Sequence, residues 1–211
     1  RRLGITADIP EVPSICLGTP DISVFEMVAA NSAFANKGTY IQPTFVTRIE
    51  DKNGKVLEEF IPNIDEVLSE EKAYAMIQLM RGVVDGGTGS RLRFRYKLNN
   101  QIAGKTGTTQ QNADGWFMGL TPDLVAGVWV GGEDRSIHFN SMVEGQGATM
   151  ALPIWAKFFN KVYADKNLKV SKADFPRPKD LNPNLEMDCS KHDDNIDAQT
   201  NDDGGSPFDN L

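Results

Sequence analysis

The sequence predicts an α+β fold in which helices pack on an antiparallel sheet, and three observations predict it. Apolar residues recur at helical spacing in three segments that carry recognisable caps. An Asn-Gly pair joins two strand-like runs, and three further strand-like runs between residues 101 and 131 are separated only by short polar connections. A chain of 211 residues with 40% hydrophobic and 24% charged residues has an ordinary globular composition and is large enough for one core.

Each element has a local cause. In the first helix Ser23 stands three before Glu26 in a capping box, Ile22 and Met27 occupy the hydrophobic-staple positions, and Gly38 supplies the left-handed stop. Phe25, Val28, Ala29 and Ser32 then share one face. The strands Thr44 to Glu50 and Lys55 to Phe60 flank Lys52-Asn53-Gly54 and form a hairpin. A second helix begins at Ser69, whose hydroxyl caps the first turn while Glu70 and Glu71 favour the positive end of the helix dipole; Met76, Leu79, Met80 and Val83 are its expected buried stripe. The runs Gln101 to Gln110, Gly115 to Leu120 and Leu124 to Gly131 read as an antiparallel meander. The last run is apolar on both faces and is expected to be central or covered by helices. A third helix carries Trp155, Phe158, Phe159 and Val162, with Pro153 expected near its start.

The charge is uneven. Of the net −7, the segment from Asp188 to Leu211 holds −6, so residues 1 to 187 carry only −1. A body so near neutrality has no basic field to gather phosphates, which excludes nucleic acid as an expected partner. From about residue 171 the chain turns Pro-containing and then acidic, so 171 to 211 is expected to form a solvated tail beyond a domain at 1 to 170. Cys16 and Cys189 have neither metal-ligand nor redox-pair spacing, and His138 and His192 lack ligand partners, so no metal site is expected. No apolar run reaches the roughly 18 residues of a membrane span. The chain opens on Arg1 and Arg2 without an initiator Met or a signal-peptide pattern, and is expected to begin inside a longer protein.

The stretch richest in chemistry is Gly104-Lys105-Thr106-Gly107-Thr108-Thr109, a cation and three hydroxyls around a glycine. A phosphate-binding loop would need Gly at position 99, where Asn stands, and would lead into a helix rather than towards Trp116 and Phe117. Lys-Thr-Gly on a strand is instead the third signature of serine penicillin-recognising enzymes, beside Ser-x-x-Lys and Ser-x-Asn. Further stretches in the same order are Arg2-Leu3-Gly4-Ile5, Leu17-Gly18 with Glu26-Met27, Phe34 to Gly38, Gly87-Thr88-Gly89, Asp114-Gly115-Trp116-Phe117, Thr121-Pro122-Asp123 and Trp129-Val130-Gly131. On these residues the chain resembles the C-terminal part of the transpeptidase domain of class A, bifunctional penicillin-binding proteins.

That resemblance implies part of the serine β-lactamase and penicillin-binding transpeptidase type of fold. It also implies a serine-type D,D-transpeptidase that acts on D-Ala-D-Ala stem peptides, is trapped by β-lactams and needs no cofactor. Lys105 and Thr108 would be the catalytic residues. The lysine would hold the proton network in place and add positive potential, and the Thr108 backbone N–H would be one of two oxyanion donors. Thr106, Gly107, Thr108 and Thr109 would bind substrate: the hydroxyls of Thr106 and Thr108 take its carboxylate, and Gly107 lets its backbone approach the strand. The parent would carry an upstream glycosyltransferase domain and membrane anchor and work on the periplasmic, outer face of the cytoplasmic membrane.

One departure is large. No Ser-x-Asn occurs, and the single Ser-x-x-Lys is Ser69-Glu70-Glu71-Lys72, which reads as a helix cap because two glutamates would stand where an acyl-enzyme needs none. The nucleophile is therefore expected upstream of Arg1, in the missing part of the same protein, and the fragment alone is expected to be inactive. The rival reading is a non-catalytic transpeptidase-like module that binds peptide or protein. Elsewhere, Gly86 to Gly89 reads as a helix stop and turn, although in the resemblance this loop approaches the cleft; Trp116 reads as core, and Asp114 and Asp123 as turn residues.

Overall fold

In the computed structural model, residues 1–182 are described, and Arg1–Lys179 form one compact body. After a short 3-10 turn at Pro13–Leu17 come α1 (Val24–Ala35), β1 (Thr39–Ile41), β2 (Arg48–Glu50), β3 (Val56–Glu59), β4 (Ile64–Glu66), α2 (Glu70–Asp85) and α3 (Arg91–Phe94). Then follow β5 (Ala103–Thr108), β6 (Asp114–Leu120), β7 (Val125–Gly131), α4 (Met142–Gly145) and α5 (Gly147–Ala164). The main sheet is antiparallel in the order β5-β6-β7, and two separate ribbons pair β1 with β4 and β2 with β3.

The caps form as the local sequence dictates. The Ser23 hydroxyl accepts from the Glu26 N–H while the Glu26 carboxylate accepts from the Ser23 N–H, and Gly38 at φ 90° ends the helix by donating to the Ala33 carbonyl. The same carboxylate accepts from Thr6 N, Thr6 Oγ1 and Ala7 N at 2.8, 2.8 and 3.0 Å, which pins the N-terminal segment to α1. These bonds, those from Thr6 first, hold the Glu26 pKa down to about 2. The hairpin is present but short, and its turn differs from a two-residue Asn-Gly turn. Asp51 to Gly54 close it with a Gly54 N–H to Asp51 C=O bond of 3.0 Å, Gly54 takes φ 81°, and the Asp51 carboxylate accepts from Asn53 N and Lys55 N.

Two helix expectations need correction, and two others hold in a particular form. Phe25, Val28, Ala29 and Ser32 share one face of α1, as expected, and that face lines an open groove of about 350 Å³; the buried residues of the helix are Ala29, Ala30, Asn31 and Ala33, small enough for close packing. Phe25 stacks on Phe45 at 5.5 Å and remains half exposed. In α2 the buried row is Ala73, Ile77, Met80 and Val84, with Leu79 exposed at 58%, because the small Ala73 turns that row against β5. In α5 the helix begins at Gly147, so Pro153 lies inside it, and Phe158 is exposed. An interior proline costs about 3 kcal/mol in a helix, set here against a face of Ala151, Leu152, Trp155, Ala156, Phe159 and Val162 buried on the sheet. For β7, of the two arrangements expected, central or covered by helices, the second holds. The strand lies at the end of the sheet among the described residues, and its apolar faces are covered by α1 and α5.

The principal core joins Val84, Leu92, Ile102, Phe117, Leu152, Trp155 and Phe159; Trp155 and Phe159 stack at 3.8 Å, and the Trp155 indole donates to the Ala126 carbonyl. The body extends past the boundary expected at 170. Phe175 is 5% exposed beside Ile77 and Met80, its N–H donates to Gln101 Oε1, and the Ser171 N–H donates to Asp123 at 2.7 Å. Those Ser171 contacts lower the Asp123 pKa. The acidic run from Asp188 to Leu211, with Cys189 and His192, lies outside the described residues.

Candidate active site

The site is built on β5. Its pairing with β6 in the register Lys105 to Met118, Thr106 to Phe117 and Gly107 to Trp116 fixes which groups point where. The Thr109 N–H donates to the Asp114 carbonyl, so odd-numbered main-chain groups turn towards β6 and those of Thr106 and Thr108 turn to the outer edge of the strand. That edge has no partner strand among the described residues. Side chains alternate as well: Lys105 and Gly107 share the face of Met118 and Trp116, and Thr106 and Thr108 share the opposite face, on which α5 packs.

Each predicted site residue can be placed. Lys105 is exposed, and its ammonium donates to the Thr106 carbonyl at 2.6 Å on the outer edge. Among the described residues no carboxylate forms an ion pair with it, so its charge is available to a ligand lying along that edge. Thr106 is 9% exposed, with its hydroxyl 2.7 Å from that of Thr88. Thr108 is exposed, and its Oγ1 accepts from the Gly147 N–H, at the start of α5, at 3.0 Å. Gly107 sits directly beside Trp116, where a Cβ would lie 3.0 Å from the tryptophan Cβ. The Thr109 hydroxyl accepts from the Asp114 N–H at 3.0 Å, so it builds the β5–β6 connection. One strand thus presents a cation, two hydroxyls and outward main-chain N–H groups within a few residues.

Gly147 carried no readable signal, and Thr88 was legible only as part of a loop that the resemblance brings near the cleft. Gly147 brings α5 onto the sheet, since a Cβ there would collide with the carbonyl oxygens of Gly107 and Trp116. Thr88 comes from the loop after α2, which is more than a helix stop. The Gly87 N–H donates to Gly82 C=O and the Gly89 N–H to Val83 C=O, folding the loop back so that Thr88 meets Thr106. Ser69 has the capping role: its hydroxyl accepts from the Lys72 N–H. Trp116 differs from its expected core position; Phe117 is the fully buried residue, while Trp116 is half-buried opposite Trp129. Asp114 opens β6 with one carboxylate oxygen buried and unpartnered, and His138 is exposed.

Comparison with known proteins identifies the family and the fold. The family described as the penicillin binding protein transpeptidase domain matches residues 14–149. Penicillin-binding protein 1A of Aquifex aeolicus is 39% identical over 149 residues, covering 71% of this chain and 20% of the relative. Penicillin-binding protein 2D of Bacillus subtilis is 38% identical over 165 residues, covering 75% and 23%. The chain therefore spans about a fifth of the length of these curated relatives. Among solved structures, the PonA1 protein of Mycobacterium tuberculosis in complex with penicillin V superposes with a TM-score of 0.67 at 25% identity, over 85% of this chain and 51% of that one. Penicillin-binding protein 1A of Haemophilus influenzae shares the fold with a TM-score of 0.68 at 23% identity, over 86% and 31%. The sequence signature, the antiparallel sheet edge that displays it and these matches together place the chain in the penicillin-binding protein transpeptidase domain family.

Proposed function

We propose that this chain supplies the lysine-bearing wall of a peptidoglycan D,D-transpeptidase site, completed by a serine nucleophile carried upstream in the same protein. The observation that carries the proposal is β5 itself, which turns the Lys105 ammonium and the Thr108 N–H to its outer edge and the Thr106 and Thr108 hydroxyls to the face on which α5 packs. In the reaction, the serine oxygen attacks the carbonyl of the penultimate D-Ala, and its proton passes to the departing amine. The C–N bond breaks, and terminal D-Ala leaves an ester on the enzyme. An amine of a second stem peptide then attacks that ester and regenerates the serine. A β-lactam follows the first half only, because its leaving nitrogen stays tethered in the opened ring.

Each residue of β5 has a separable role in this scheme. The Lys105 ammonium raises the potential where the substrate carboxylate and the developing oxyanion sit. Thr106 and Thr108 donate to that carboxylate, and the Thr108 N–H donates to the carbonyl oxygen as it becomes negative. Gly107 leaves room for substrate main chain along the strand edge, which is the geometry of strand addition. Thr109 contributes by closing the connection to β6. The reading places the protein on the outer face of the cytoplasmic membrane, held by an upstream anchor, with an upstream glycosyltransferase domain.

Intact-mass measurement with a reporter penicillin tests the proposal. The full-length protein should gain one covalent adduct on a serine outside these 211 residues, and the isolated chain should gain none. Acylation of Ser69, or none in the full-length protein, would refute it. The second outcome would favour the non-catalytic module, the reading suggested by the lack of Ser-x-Asn and of an uncapped Ser-x-x-Lys within the chain itself.

A further inference from the structure

Resting on the transpeptidase reading, we propose that Thr88 is a positioning residue: its hydroxyl donates to Thr106 Oγ1, so that the single Thr106 proton is directed at the substrate carboxylate. A threonine hydroxyl has one proton and two lone pairs, and it serves an anion only if that proton is not spent on a protein acceptor. The structure solves this problem at both threonines of the strand. At Thr108 the solution is explicit, because the Gly147 N–H can only donate and reaches Thr108 Oγ1 at 3.0 Å. Thr108 therefore accepts from the protein and keeps its own proton for a ligand.

Thr106 has the same requirement in a less solvated place. It is 9% exposed, and its hydroxyl meets that of Thr88 at 2.7 Å, a pair in which either oxygen can be the donor. Without an anion the two directions are nearly equivalent. With one, the Thr106 proton makes a charge-assisted bond, and only the direction from Thr88 to Thr106 remains. Thr88 is exposed, so water satisfies its own oxygen in that arrangement. The loop that delivers it is shaped by main-chain bonds from Gly87 to Gly82 and from Gly89 to Val83, and a Cβ at position 87 would lie 2.9 Å from Val83 Cα. The fold of the loop therefore does not depend on the Thr88 hydroxyl. Its removal by the near-isosteric Thr88→Val should act on ligand polarity and not on architecture.

The test uses the full-length protein, a reporter penicillin with its free carboxylate, and the methyl ester of the same penicillin. Thr88→Val should lower the second-order acylation rate for the free acid about tenfold, the usual order for losing support of one hydrogen bond to a charged group. The rate for the ester should not change, and the melting temperature should fall by no more than about 2 to 4 °C, the cost of one hydrogen bond. Thr88→Ser should restore the free-acid rate, and Thr88→Val combined with Thr106→Val should be no slower than Thr106→Val alone, because Thr88 acts through Thr106. Equal losses on acid and ester, additive losses in the double variant, or an undiminished rate for Thr88→Val would each overturn the assignment of Thr88 while leaving the transpeptidase reading intact. Failure of the wild-type protein to be acylated by the free acid would overturn both.

Discussion

Replacing glycine by alanine in a helix ordinarily stabilises a protein, and two glycines of this chain should respond with opposite signs. Gly82 lies on the exposed side of α2, with nothing within 4 Å of where its Cβ would be. Gly82→Ala should therefore stabilise by about 0.5 to 1 kcal/mol through reduced backbone entropy of the unfolded chain. Gly147 opens α5 against the sheet, and its Cβ would strike the carbonyl oxygens of Gly107 and Trp116, which are backbone atoms that cannot rotate aside. Overpacking costs about 1 to 3 kcal/mol and loss of the Gly147 N–H to Thr108 bond about 1 kcal/mol, against a gain of at most about 1 kcal/mol from backbone entropy. The net is a destabilisation of about 2 kcal/mol. At roughly 2 to 4 °C per kcal/mol for a body of this size, Gly147→Ala should melt about 4 to 8 °C below the wild type by circular dichroism. Equal or higher melting of Gly147→Ala would show that α5 does not rest on β5 as described, and the polarity assigned to the Thr108 hydroxyl would fall with it.

Two further outcomes follow from the same contacts. Glu26 has a pKa of about 2 in the folded chain against 4.5 ordinarily. Its contribution to stability is thus complete above pH 4.5 and lost as pH falls towards 2, and Glu26→Gln should flatten the dependence of the urea midpoint on pH across that window. An unchanged slope would refute the clamp between Thr6, Ala7 and α1. Phe175→Ala should cost about 3 kcal/mol and expose the preceding segment to limited proteolysis, because Phe175 fills the cluster with Ile77 and Met80; an unaltered melting temperature and digestion pattern would exclude that segment from the body.

What the sequence made legible was local. The Ser23 capping box and the Ser69 cap are signals within three residues, and they formed as read. The meander was legible because alternation and short connections leave antiparallel pairing as the economical arrangement. Faces that depend on distant partners were not. The row of α2 that is buried was decided by β5, not by the apolarity of Met76 and Leu79, and Pro153 is tolerated inside α5 because the sheet holds that helix. The pairing of β1 with β4 joins three-residue strands that carry no pattern of their own. At the site, the Lys-Thr-Gly-Thr run identified β5, and the resemblance brought the Gly87-Thr88-Gly89 loop towards the cleft without giving Thr88 a partner. Only the folded loop shows its hydroxyl reaching Thr106.

Acylation of the full-length protein carrying Lys105→Ala tests most directly whether β5 is the wall of an acyl-transfer site. Removing an exposed ammonium whose protein partner is a neighbouring carbonyl should leave the melting temperature unchanged. Labelling by a reporter penicillin, followed over time by intact mass, should be abolished. Labelling at the wild-type rate in a folded Lys105→Ala protein would contradict the account.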